Sequence, residues 1–264
     1  MLNPRIIVCL LMKNNALYKT VKFNNPKYIG DPLNAVRIFN EKKIDELFIL
    51  DIDATRENRP PNFDLIKKIS SECQMPLCYG GGIKKIDEIG KLIGLGVEKV
   101  ALSDALLKNP KLIQKSSEIF GSQSIIGVLD IKKKKLFNKY EVFLENGTKS
   151  TGKNPFNLIK EIVNMGIGEI VINSIDRDGT LEGYDFELIR KIKEIISIPL
   201  TILGGASSYD DFVKLFSEFP IIGGAAGSLF VLKGKYKAVL IQYPNKEEKE
   251  AILYSARKLY RDQN

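Results

Sequence analysis

Residues 76–83 read PLCYGGGI and residues 199–206 read PLTILGGA. Each stretch opens on proline, runs through a short apolar segment and breaks on consecutive glycines before a helical pattern. A brief apolar run closed by glycine reads as a buried strand followed by its turn. Working outward, six further short runs stand at residues 5–10, 46–51, 99–102, 124–130, 169–173 and 220–223. Amphipathic stretches at 32–41, 63–73, 86–95, 110–120, 155–165, 185–196 and 209–216 lie between them. Several open with Asp or Asn followed by Pro, a favoured cap and first-turn pair. Strict alternation predicts parallel strands, and eight of them predict closure into a (β/α)8 TIM barrel of the α/β class. A single domain over residues 1–264 suits the length, since such barrels take about 250 residues.

The two quoted stretches lie nearly half a chain apart, and other segments echo at the same spacing. Residues 6–10 (IIVCL) align with 125–129 (IIGVL), and 50–54 (LDIDA) parallel 174–179 (SIDRDG). A period this long does not fit a solenoid repeat and points to two fused half-barrels. Equivalent ligand groups are then expected twice on the C-terminal rim.

Composition narrows the function classes. The chain is 44% hydrophobic and 27% charged, an ordinary globular balance. It lacks an N-terminal basic region with a long apolar run, and no stretch approaches the roughly 18 apolar residues that span a bilayer, so a cytoplasmic protein without membrane association is expected. Cys9, Cys73 and Cys78 are too few for a disulfide framework, and the chain has no histidine, which excludes a His-containing zinc site. Reduced, mostly buried thiols are expected, with no metal and no cofactor.

The net charge of +8 fits phosphorylated ligands or nucleic acid, yet most lysines sit beside glutamates on helix faces and read as a solvated surface. The basic residues lack interleaved aromatics, so nucleic-acid binding is not expected. Lys132 to Lys135 form the one dense patch, which suits a solvated loop and an anion-guiding loop equally. Asn146-Gly147-Thr148 fits a glycosylation sequon but reads better as a hairpin turn.

Gly80-Gly81-Gly82 and Gly204-Gly205 each end a strand, where missing Cβ atoms let backbone N–H groups approach an anion. One glycine pair after a strand is equally a tight turn. Two at matching places in both halves favour phosphate binding, with Ser103 beside Asp104, and Gly227 with Ser228, supplying partners from the next strand ends. Two sites across one mouth imply an elongated ligand with a phosphate at each end. Acidic residues gather at strand ends: Asp51 and Asp53, Asp130, Asp176 and Asp178. Asp53 and Asp176 read as caps of the following helices. Asp130 ends an apolar strand and is expected to face the mouth as a general acid or base. Lys13 and Lys19 fall in the first rim loop, as flexible cations closing over an anionic ligand or as solvated residues.

Taken together, RIIVCL (5–10), ILDIDA (49–54), YGGGI (79–83), EIFGSQ (118–123), NSIDRDGT (173–180) and GYD (183–185) resemble the cyclase subunit of imidazole glycerol phosphate synthase over about residues 1–230. The resemblance implies a barrel that takes ammonia from a glutaminase subunit docked on its N-terminal face and uses it to cleave and cyclise a bisphosphate substrate. It places an acid-base pair at Asp130 and the position held here by Leu11. It places the substrate among Lys19, Asp51, Gly82, Ser103, Asp178, Gly205 and Ser228, and an ammonia gate at Arg5, Glu46, Lys99 and Glu169. Those four charges open the first, second, fourth and sixth strands, so they are expected to meet at the barrel floor, where a stabilising salt-bridge ring is the alternative role.

Two departures matter. Leu11 stands where the family has a catalytic aspartate, and a lost acid or base costs roughly two to four orders of magnitude in rate. Asp104 stands beside the first phosphate site in place of a small hydroxyl residue. From about residue 231 the tail diverges, with KGKYKAVLIQYPN at 233–245 before a helix, and is similar to paralogues linked to amidation of surface-glycan sugars. The favoured expectation is therefore a subunit of a glutamine-dependent amidotransferase. Its expected partners are a glutaminase, a phosphorylated sugar-like molecule and a third amidotransferase protein. Histidine-pathway cyclisation is the second reading, and a phosphate-binding activator of a glutaminase the third.

Overall fold

The computed structural model describes residues 4–134 and 139–263. Its barrel strands are β1 (Arg5–Lys13), β2 (Glu46–Asp51), β3 (Leu77–Gly80), β4 (Lys99–Leu102), β5 (Ile125–Lys134), β6 (Glu169–Ser174), β7 (Leu200–Leu203) and β8 (Gly223–Ala226). Each pairs in parallel with the next, and β8 closes on β1 through Arg5 opposite Gly223 and Val8 opposite Ala226. The outer ring is α1 (Pro32–Glu41), α2 (Phe63–Glu72), α3 (Ile86–Gly94), α4 (Pro110–Phe120), α5 (Pro155–Asn164), α6 (Phe186–Lys193), α7 (Tyr209–Glu218) and α8 (Lys246–Gln263). The expected (β/α)8 barrel is what the chain forms.

Strand alternation divides the core in two. On β1, Ile6, Val8, Leu10 and Met12 join the large cluster beneath the helices, whereas Ile7, Cys9 and Leu11 face the barrel interior. The Asn-Pro and Asp-Pro helix starts behave as read: Asp31, Asn109 and Asn154 accept backbone N–H bonds in the first turns of α1, α4 and α5, each with Pro behind it.

The eighth strand lies three residues later than the expected 220–223. Its sequence, Gly-Gly-Ala-Ala, has no β-branched residue to announce it. Glycine is required by crowding: a Cβ at Gly223 would lie 2.0 Å from Thr201 Oγ1, and one at Gly224 2.8 Å from the Phe212 ring. Extra hairpins decorate the rim, one formed by Ala16–Val21 and Asn24–Gly30, another by Lys139–Leu144 against the outer half of β5. The 145–148 segment turns between Lys139–Leu144 and Lys149–Ser150, with Asn146 at φ 57°, as its hairpin reading requires.

The divergent tail is fastened to the barrel. After a short hairpin, Tyr243 buries its ring, donates its hydroxyl to Ile6 O at 2.9 Å and accepts the Asp45 N–H at 3.2 Å. Lys249 on α8 ion-pairs with Asp45, whose other carboxylate oxygen accepts the Ile6 N–H. Tyr243→Phe strands two buried backbone groups and is expected to cost about 1–3 kcal/mol, read by urea denaturation. A change under about 0.3 kcal/mol would show that these bonds are replaced by water.

Candidate active site

The floor is built from the first residues of four strands. Arg5, Glu46, Lys99 and Glu169 project inward and join into a closed ring. Arg5 bonds Glu46 and reaches Glu169 at 2.6 Å, while Lys99 reaches Glu46 at 2.6 Å and Glu169 at 2.9 Å. Burial would raise the Glu169 carboxyl, but Arg5 and Lys99, with a 2.6 Å hydrogen bond from Thr201 Oγ1, bring it below its ordinary value. Glu46 receives no such hydroxyl, and there burial outweighs the two cations and moves the carboxyl up. The expectation that these four charges converge is met.

Above the ring the interior is apolar, with Ile7, Phe48, Cys78, Ile126, Val171 and Ala225 inward. Burial pushes the Cys9 thiol up to about 12 and raises Cys78 as well, so both remain neutral. A cavity of about 480 Å³ then opens at the C-terminal mouth. Asp130 lines it near the end of the inward-facing series of β5 and accepts the Asn173 Nδ2–H at 3.1 Å. Desolvation, aided by the charges of Asp178 and Asp104, raises its carboxyl to about 7 against the hydrogen bond from Asn173. Near neutral pH it is poised to give or take a proton.

Asp178 and Lys19 meet in the same mouth. Lys19 Nζ stands 2.5 Å from Asp178 Oδ1, Thr20 Oγ1 donates to the other oxygen at 3.0 Å, and both Lys19 and Asp178 are buried. Lys19 is therefore no flexible loop cation. It sits in the Ala16–Val21 strand, where hairpin pairing fixes its backbone. Asp51 is buried at the end of β2, accepts N–H bonds from Asp53 and Ala54, and faces Arg59 at 3.5 Å.

The glycine loops take equivalent places after β3 and β7. A Cβ at Gly82 would lie 2.4 Å from Arg59 O, and one at Gly205 2.1 Å from Gly183 O. Gly82, Ser103 and Asp104 border the large cavity. Gly205, Gly227 and Ser228 border a second space of only about 10 Å³, and Lys19, Asp178, Leu203 and Gly227 line both.

Several sequence readings are corrected. Asp53 and Asp176 do not cap helices. Asn62 caps α2 and Asp185 caps α6, leaving Asp53 to pair with Lys13 at 2.9 Å and Asp176 to accept the Lys133 N–H at 2.7 Å. Asp104, which the sequence placed beside the first phosphate site, pairs with Lys108 one turn away at 2.5 Å. Of the basic patch, Lys132, Lys133 and Lys134 extend β5 as strand, and Lys135 lies outside the described residues. Cys9 and Cys78 are buried as expected, and Cys73 is half-buried. Asn173 and Thr201 were missed, although both share inward parity with residues already placed: Asn173 stands two after Val171, and Thr201 two before Leu203. Among the described residues, no helix is long and apolar enough to cross a membrane.

The family model for histidine biosynthesis proteins matches residues 5–237. The chain belongs to that family. Within it the similarity is to HisF-type proteins. A Leptospira borgpetersenii relative is 54% identical over 252 residues, 96% of this chain and 99% of its own. A Vibrio vulnificus relative, hisF3, is 51% identical over 253 residues, 96% and 97% of the two chains. Both carry the name imidazole glycerol phosphate synthase subunit provisionally. A Streptococcus mutans relative, named imidazole glycerol phosphate synthase subunit HisF, is 36% identical over 230 residues, 87% and 91% of the chains.

In this HisF-type barrel Leu11 is an interior side chain, paired in register with Leu50 and clustered with Cys9 and Val128. It lines the same cavity as Asp130 and presents only methyl groups there. No proton can leave or arrive at that position.

Proposed function

We propose that this HisF-type chain is the synthase subunit of a glutamine-dependent amidotransferase. A HisH-type glutaminase docks at the floor, and its ammonia passes the ring of Arg5, Glu46, Lys99 and Glu169 into the mouth. There the ammonia is delivered to a phosphorylated, sugar-like acceptor, in surface-glycan amidation with a third amidotransferase protein. The observation that carries this reading is the closed four-charge ring under an apolar interior. Neutral NH3 suits such an interior, whereas an ammonium ion would have to give up hydration there without compensation. Leu11 supports a departure from ordinary cyclase chemistry, because it leaves Asp130 without the second acid of the family. Lys19, Asp51, Gly82, Ser103, Asp178, Gly205, Gly227 and Ser228 would hold the acceptor.

The test is addition of the purified barrel to its glutaminase partner. Complex formation and faster glutamine hydrolysis are expected. If neither occurs, the proposal fails.

A second reading, cyclisation in histidine biosynthesis, is favoured by one feature of the mouth: Asp178 shares it with Asp130 and could serve as the second carboxylate once Lys19 turns to the substrate. Growth of a cyclase-deficient histidine auxotroph on this gene would support it. Failure to grow, with no turnover of the bisphosphate substrate in ammonium salt, would remove it.

A further inference from the structure

We infer that the ligand of this barrel carries a phosphate at one end only, held by the cradle of Gly205, Gly227 and Ser228. Asp104 makes the opposite end a place for an uncharged, hydroxyl-bearing group. This rests on the proposed function for the existence of a phosphorylated acceptor and goes beyond it by assigning different chemistry to the two ends.

The two loops are matched in backbone but not in donors. At the first, the Gly82 N–H already donates to Thr55 Oγ1 at 3.2 Å. The bordering cations are also engaged: Lys84 bonds Asn58 Oδ1, Arg56 faces Asp53 at 3.8 Å, and Lys108 is shared between Asp104 at 2.5 Å and Glu145 at 3.2 Å. Asp104 and Glu145 both line the cavity, and the Asp104 side chain is only 16% exposed. A phosphate dianion arriving here would face the half-buried Asp104, whose one cation is Lys108, and Glu145, which pairs with Lys108 and with Lys149 at 3.6 Å. A hydroxyl would meet acceptors suited to its proton.

The second loop offers an unpartnered donor instead. Ser228 is 6% exposed, and its Oγ has no hydrogen-bond partner among the described residues. It borders the space formed with Gly204, Gly205 and Gly227. A buried hydroxyl without a partner carries a cost that a ligand oxygen removes. The cation beside it is Lys19, whose Cε lies 3.2 Å from where a Gly227 Cβ would sit. The space is too small for a phosphate while Lys19 lies on Asp178, so binding requires Lys19 to exchange that carboxylate for the phosphate.

The experiment is a calorimetric titration of the intact chain with inorganic phosphate, which needs neither glutaminase nor acceptor. Its failure leaves ammonia transfer standing, and loss of glutaminase coupling leaves the stoichiometry standing. One phosphate per chain is expected. Ser228→Asp should weaken that site at least about tenfold, and Asp104→Ser should add a second. Circular dichroism confirms that each variant is folded, and Lys19→Met, expected to weaken the single site, replaces Ser228→Asp if that variant does not fold. Two phosphates on the unmodified chain, none, or one that survives both changes at the second cradle would overturn the inference. An Asp104→Ser chain that still binds only one would overturn the role given to Asp104.

Discussion

Asp130→Asn is expected to lower ammonia-dependent turnover by roughly two to four orders of magnitude while leaving the fold intact. The substitution keeps the shape and the acceptor oxygen facing Asn173, and it removes the only change of charge at that position. Burial raises the Asp130 carboxyl to about 7. The sign of its pH dependence follows from that shift. Below the ordinary value of 3.8 both folded and unfolded chains hold the proton, and the group is neutral in its effect. As pH climbs from there toward about 7, the unfolded chain releases the proton while the folded one retains it, so the native state loses stability. The asparagine variant escapes this loss. It should match the parent in denaturant melts near pH 4 and exceed it near pH 8, opposite in direction to its activity. A rate profile without an inflection near pH 7 in the parent, or an active asparagine variant, would remove Asp130 from the chemistry and favour the activator reading.

Lys99→Met is the second large effect. It takes one of two cations from a floor where Glu46 and Glu169 are buried, leaving Arg5 to balance both. Removing one member of a buried ion cluster costs about 3–5 kcal/mol, because the remaining charge is stranded rather than because the pair was strong. The Glu169 carboxyl lies below its ordinary value in the intact ring, so its contribution is present above the unfolded value of 4.5 and fades as pH falls through the folded one. In the variant both carboxyls move up and take protons sooner. Its deficit should be largest at neutral pH and shrink toward about pH 5 in paired denaturation curves. A deficit under about 1 kcal/mol at neutral pH would mean that the ring is solvated and is not a buried ion cluster.

How far the sequence disclosed this site depended on range. The floor was legible because the family resemblance singled out Arg5, Glu46, Lys99 and Glu169, each of which opens an apolar run, and parallel strands in a closed barrel place their starts together. The glycine loops were legible for a related reason, since an apolar run ending in glycine marks both the strand and its rim. The burial of Lys19 and its pairing with Asp178 were not, because that partner is 159 positions away and the hairpin that buries Lys19 lacks a strong turn pair. Asp53 and Asp176 were misread through local logic. An acid before a helix favours a cap, but Asn62 and Asp185 stand nearer the helix starts and take the amide bonds. β8 was displaced because packing against Thr201 and Phe212 selected glycine there over strand-forming residues.

The path of the nitrogen distinguishes conduction through the barrel from capture of bulk ammonia. A cell-free reaction would contain the barrel, its glutaminase, an acceptor fraction from the source cell, glutamine labelled with 15N in its side-chain amide, and an excess of unlabelled ammonium chloride. The amidated product would be weighed by mass spectrometry. Ammonia conducted through the ring never mixes with bulk solvent, so the product should retain the glutamine label. A product whose label matches the bulk ammonium pool would contradict conduction through this barrel.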